Sequence, residues 1–252
     1  TAIVARGDHL VTADAQFSSM KQRSDVAALL EENPAALFLN PVNWEGIRGS
    51  LIDAKRRKVP VIVVDTPVSD PDLVLCQIAS DNAEAGRIVC DALAAARPDA
   101  RIVVLHLSLN RACIERVEGF QARMARHPGM TILDIREGKG RAEGSYPVMR
   151  ELLDRWPDLD AVFAVNDPSA LGAIRAIREA GRGGQIAVVA VDGSPAGIEA
   201  IRAGQLLATA AQSPREIGRL AAEQAYAHMN GRPVKKNIRL PVALIDARNV
   251  TE

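Results

Sequence analysis

From residue 36 to residue 212 the chain repeats one pattern: a short unbroken run of Val, Ile, Leu and Ala, then about 12 to 16 residues of helical periodicity. This alternation is what most restricts the fold. Apolar runs without polar residues at alternate positions are buried on both faces, so helices must cover both sides of a parallel sheet. The expected strands are "HLVTAD" (9–14), "ALFLN" (36–40), "VPVIVVD" (59–65), "RIVVLHL" (101–107), "MTILDIR" (130–136), "AVFAV" (161–165), "QIAVVAVD" (185–192) and "LLATAAQ" (206–212). Helices fill most of the gaps, with stops at "ARHPG" near His127, "EAGRGG" near Gly181 and "MNGRP" near Asn230. Eight such strands either close a barrel or form two open sheets.

Composition narrows the function. Thirty-one basic and 31 acidic residues leave no excess positive charge to hold a polyanion, and aromatics are only 3%, so nucleic acid is not expected as a partner. No apolar run approaches the roughly 20 residues of a membrane helix. The start, "TAIVARGDHL", carries no signal segment of a basic region followed by an apolar stretch. Cys76, Cys90 and Cys113 are spaced neither as metal ligands nor as a disulfide framework, and the four histidines are scattered, so no metal and no cofactor is expected.

The expected strands end in Asp14, Asn40, Asp65, Asn166, Asp192 and Gln212. In open α/β sheets ligands sit outside the carboxyl ends of strands, so these residues point to a polar ring around a pocket. In "VFAVNDPSALGAIRAI", Pro168 suits the first helical position, which makes Asp167 the expected N-cap and leaves Asn166 as the ligand contact, able to donate and accept. "VDGSPAGIEAI" repeats the arrangement with Asp192 left to accept hydrogen bonds and Ser194 as cap, and "AQSPREIG" does so with Gln212 and Ser213.

The segments "IASDNAEAGRIV" (78–89), "IERVEGF" (114–120), "AVFAVNDPSALGAIRAI" (161–177), "VVAVDGSPAGIEAIRAGQLLATAAQSPREIG" (188–218) and "LPVALIDARNV" (240–250), taken in order, resemble the type 1 periplasmic sugar-binding proteins, the ribose-binding-like family related to the LacI core. The resemblance implies two Rossmann-like lobes joined by three hinge crossings, with a sugar or polyol held in the cleft between them. Lobe 1 would comprise 1–79 plus 213–241 and lobe 2 would comprise 80–212 plus 242–252. The crossings would lie near Ala79 to Asp81, Gln212 to Pro214 and Pro241 to Ala243. The ligand contacts carried over are Asp65, Asn166, Asp192 and Gln212, with no catalytic residue.

This sequence departs from the family pattern in three places. Ile114 stands where the family has a sugar-binding Arg, and Arg111, one helical turn earlier, is the expected substitute. Thr66 follows Asp65 where ribose binders often carry Arg. The usual first strand and most of the first helix have no counterpart, so the first lobe is expected to be incomplete, with a gap between "HLVTAD" and "ALFLN". The resemblance further implies a monomer, periplasmic or lipid-anchored outside the cell, that delivers its solute to the membrane permease of an ABC transporter.

Two other functions compete. The effector-binding core of a LacI-type regulator would need a DNA-binding headpiece, which this sequence does not contain. An α/β enzyme would use Asp65 or Asp192 as a general base, but no nucleophile, metal or phosphate loop accompanies them. Minor motifs read as structure: "GKGRAEG" (138–144) as a surface turn, Gly7 of Arg6-Gly7-Asp8 as a helix C-cap, and Cys113 as a buried, inert thiol.

Overall fold

The structure, a computed structural model, describes residues 3–250. In chain order its first half contains α1 (Ser19–Glu31), β1 (Leu37–Leu39), α2 (Arg48–Arg56), β2 (Val61–Val64), β3 (Cys76–Ser80), α3 (Asn82–Ala96), β4 (Arg101–His106) and α4 (Arg111–Met124). There follow β5 (Thr131–Glu137), α5 (Ala142–Arg155), β6 (Ala161–Ala164), α6 (Asp167–Glu179), β7 (Ala187–Asp192), α7 (Pro195–Arg202), β8 (Ala208–Ala211), α8 (Pro214–Met229), β9 (Asn237–Leu240) and β10 (Ala243–Asp246). The chain divides into two compact units. One holds residues up to Ser80, Leu109–Ala112 and Ser213–Leu240; the other holds Asp81–Ser108, Cys113–Gln212 and residues from Pro241 onward.

Each unit is built on an open sheet, which settles the choice between a barrel and two sheets. The first unit's sheet has the order β1-β2-β3-β9, parallel throughout. The second unit's sheet has the order β10-β8-β7-β6-β4-β5, parallel except that β10 runs antiparallel to β8.

Strand parity explains why the apolar runs are unbroken. In the second unit Ile102, Val104, Phe163 and Val165 pack with α3 and α4, whereas Val103, Leu105, Val162 and Ala164 pack with α5, α6 and α7. Successive side chains of one strand thus enter two different cores, and burying each stabilises the fold by roughly 1.5–3 kcal/mol. Phe120 of α4 stacks on Phe163 of β6 with ring centroids 4.4 Å apart. In the first unit Leu37, Leu39, Val61 and Val63 meet α1 and α2, and Ile62, Cys76 and Ile78 meet α8.

Two glycines set the spacing of α3 and α4. A Cβ on Gly86 would lie 2.0 Å from the Arg116 carbonyl oxygen, and one on Gly119 would lie 2.1 Å from that of Ala83. The helices touch backbone to backbone.

The structure corrects the sequence reading in three elements. Residues 9–14 form no strand: they are exposed and make no ladder, because no neighbouring strand offers them backbone partners. Strand β3 was hidden by Gln77, a polar residue in the middle of a buried strand, whose amide accepts from the Val68 N–H (2.8 Å) and donates to Asn237 (3.3 Å). "GKGRAEG" is a turn only as far as Arg141; α5 begins at Ala142. Gly7, in contrast, caps a single 3-10 turn, Val4–Arg6, with φ 85°.

Candidate functional site

In the second unit the tips of β6, β7 and β8 carry Asn166, Asp192 and Gln212. The helix cap falls on Asn166 and not on Asp167. Asn166 has extended backbone, and its Oδ1 accepts from the Ser169 N–H (3.1 Å), so Asn166 is the N-cap of α6 and Pro168 follows in the first turn. Its Nδ2 donates to the Gly140 carbonyl at 3.0 Å.

Asp167 is the first residue of α6 and is fully buried. Its carboxylate accepts from the Ser194 N–H and the Thr209 hydroxyl, each at 2.7 Å, tying the β7–α7 turn and β8 to α6. Burial pushes this carboxyl above the usual range, and those two hydrogen bonds pull it back. Ser194 caps α7 as expected, accepting from the Gly197 N–H at 3.1 Å.

Asp192 is the chemical centre of this edge. It has φ 138°, a conformation that residues with a side chain rarely adopt, and Gly193 follows with φ 66°. A Cβ on Gly193 would meet that of Ala211 at 2.5 Å, so only glycine lets the turn pass beside β8. Gln212 donates from Nε2 to Asp192 Oδ1 at 2.7 Å, and Arg116 reaches the same oxygen at 3.4 Å.

Arg116 is the buried residue of this edge that sequence reasoning passed over. Its side chain is 4% exposed, and besides Asp192 it donates to the Val165 carbonyl (2.8 Å) and Asn82 Oδ1 (3.0 Å). One guanidinium therefore ties the tip of β6 to the tip of β7. In the sequence Arg116 appears only within "IERVEGF", with no role of its own; its signal was the neighbouring Gly119-Phe120, which brings that face against α3 and β6. His106, at the tip of β4, is held below its ordinary pKa by burial.

In the first unit Asp65 follows β2 in a left-handed conformation (φ 66°) and accepts from Asn40 Nδ2 at 3.2 Å. Thr66 is fully buried and accepts from Asn110 Nδ2 at 2.8 Å. The Arg111 guanidinium lies 5.6 Å from the centre of the Trp44 ring, in cation–π range. Ile114, which stands where the family has its Arg, is half-buried in the second unit. Cys113 is buried, and among the described residues no cluster of His, Cys, Asp and Glu is arranged to hold a metal ion.

Strand-tip carboxylates and amides above open, doubly covered sheets make a hydrogen-bonding edge. The family described as periplasmic binding protein domain matches residues 2–233. The chain belongs to the periplasmic binding proteins. It is 34% identical over 241 residues to the ribose import binding protein of Salmonella typhimurium, covering 95% of this chain and 80% of that one. Among solved structures it is similar to the periplasmic binding component of the arabinose ABC transporter of Shewanella sp. ANA-3, bound to L-arabinofuranose (TM-score 0.92, 31% identity, 98% of this chain and 84% of that one). It is also similar to an ABC transporter solute-binding protein of Agrobacterium vitis bound to α-D-tagatopyranose (TM-score 0.93, 29% identity, 100% and 88%). This family membership places the fold among type 1 periplasmic binding proteins, which bind solutes and do not transform them.

Proposed function

We propose that this periplasmic binding protein captures a sugar or polyol and hands it to the membrane permease of an ABC-type uptake system. The observation that carries this reading is the Asp192 carboxylate, held at a strand tip by Gln212 and Arg116 beside Asn166. A carboxylate fixed next to amide groups accepts from one hydroxyl while its neighbours donate to the next, which suits vicinal diols. We assign Asn166, Asp192 and Gln212 of the second unit, and Asp65 and Arg111 of the first, as ligand contacts. The solute-binding relatives, two of them solved with bound sugars, support uptake over the LacI-type regulator.

The chain would act as a monomer outside the cytoplasm, free in the periplasm or lipid-anchored, with no nucleic-acid partner. No helix among the described residues is long and apolar enough to cross a membrane.

A thermal-shift screen of pentoses, hexoses and polyols tests the reading, because a ligand of the native state raises Tm. At least one member of the panel is expected to do so, with the shift lost in Asp192→Ala. A panel without any stabiliser overturns the sugar assignment, and steady turnover of a sugar revives the enzyme reading.

A further inference from the structure

The turn after β7 takes two consecutive positive φ angles, 138° at Asp192 and 66° at Gly193, so neighbouring groups must hold it. Behind it runs a chain of buried hydrogen bonds. The Gly193 N–H donates to Thr209 Oγ1 at 3.2 Å, and that hydroxyl donates in turn to Asp167 Oδ1 at 2.7 Å. The next N–H, that of Ser194, donates to the other carboxylate oxygen, Asp167 Oδ2, at 2.7 Å. Two successive amides after Asp192 are thus fixed to one anion, one through a hydroxyl and one directly.

The local sequence makes room for each contact. Thr209 is fully buried in "ATAA", a strand segment in which valine would fill the same volume without a polar atom to satisfy. It shares a face of β8 with Ala211, and the absent Cβ of Gly193 lets the turn lie against that face. Gly197 does the same for Asp167. A Cβ there would stand 2.2 Å from Oδ2, so glycine opens the first turn of α7 to the carboxylate. The positive end of α7 offsets the buried charge. A hydroxyl engaged both as donor and as acceptor has one orientation, so a displacement at Asp167 is passed on to Gly193.

We propose that Thr209 and Asp167 are positioning residues for solute capture: fully buried, they touch no ligand, and they set the angle at which the Asp192 carboxylate meets it. This rests on the assignment of Asp192 as a ligand contact.

Thr209→Val keeps the shape and removes the hydroxyl. Calorimetric titration with the pentose, hexose or polyol that most stabilises the wild-type chain is expected to show an affinity loss of about tenfold or more. Thr209→Ser restores both the donor and the acceptor and should bind within about threefold of wild type. A role confined to holding the fold together would not depend on one carboxylate. In an Asp192→Ala background, titrated at sugar concentrations that saturate it, Thr209→Val should therefore change affinity by less than about twofold. Without any ligand, amide exchange of Gly193 and Ser194, read by NMR, should quicken about tenfold or more in Thr209→Val and not in Thr209→Ser. If Thr209→Val does not fold, Asp167→Asn carries the same cycle. Wild-type affinity or wild-type exchange in Thr209→Val, no rescue by Thr209→Ser, or an additive cycle overturns the positioning role alone. A wild-type chain that no sugar stabilises overturns the ligand assignment of Asp192 and the positioning role with it.

Discussion

Asp192 combines a strained backbone with a carboxylate held by two neighbouring side chains. Its positive φ costs of order 1–3 kcal/mol and persists because the surrounding hydrogen bonds over-determine it. Gln212 makes the shorter contact to its carboxylate, and Arg116 adds a buried charge that joins two strand tips through one guanidinium. Arg116→Met removes the charge and leaves Asp192 and the Val165 carbonyl without that donor. We expect a loss of about 3 kcal/mol of stability, read by urea denaturation, and at least a tenfold loss of sugar affinity, read by calorimetry.

At the scale of elements, the α3–α4 contact positions that guanidinium. Gly86→Ala would force a methyl group to 2.0 Å from the Arg116 carbonyl and 2.7 Å from the Phe120 nitrogen, so the helices must part. The expected cost is about 2–3 kcal/mol in the urea midpoint, with sugar affinity falling alongside because Arg116 moves with α4. The same pair of helices carries a pH-dependent clasp. Asp91 of α3 accepts from Arg123 (2.7 Å) and meets His127 (2.8 Å), and the hydrogen bond from Arg123 above all lowers its pKa from 3.8 to about 2. A carboxyl depressed in the folded state contributes stability that is present above pH 3.8 and is lost as pH falls through about 2. Asp91→Asn should therefore flatten the stability profile between those pH values, measured by denaturant titration at successive pH.

Across the whole molecule, what was legible in the sequence followed burial. Strands β1, β2, β4 and β6 to β8 announced themselves because both faces of each are covered, which leaves apolar runs that need no partner to be recognised; β5, an edge strand without a buried residue, was legible only through the apolar start of "MTILDIR". Strand β9 alternates half-buried with exposed residues, β10 has only Asp246 fully buried, and neither stood out. "HLVTAD" has strand composition, yet a strand exists only with a neighbour, and composition cannot supply one. The strand-tip residues stood out because open sheets place ligands there; the cap of α6 moved from Asp167 to Asn166 because the buried Thr209 hydroxyl and the Ser194 N–H, far away in sequence, claimed the Asp167 carboxylate.

The three cysteines also place a clock in each unit. Cys76 belongs to one unit and Cys90 and Cys113 to the other, all buried, and burial pushes the thiols of Cys76 and Cys90 up to about 11 and about 12. A thiol-specific reagent reacts only with the thiolate it can reach, so alkylation at neutral pH should report the opening of the unit that holds each sulfur. Site-resolved mass spectrometry of labelled peptides would time the two openings separately. A sugar bound to Asp192 should slow labelling of Cys90 and Cys113 and leave that of Cys76 as the reference.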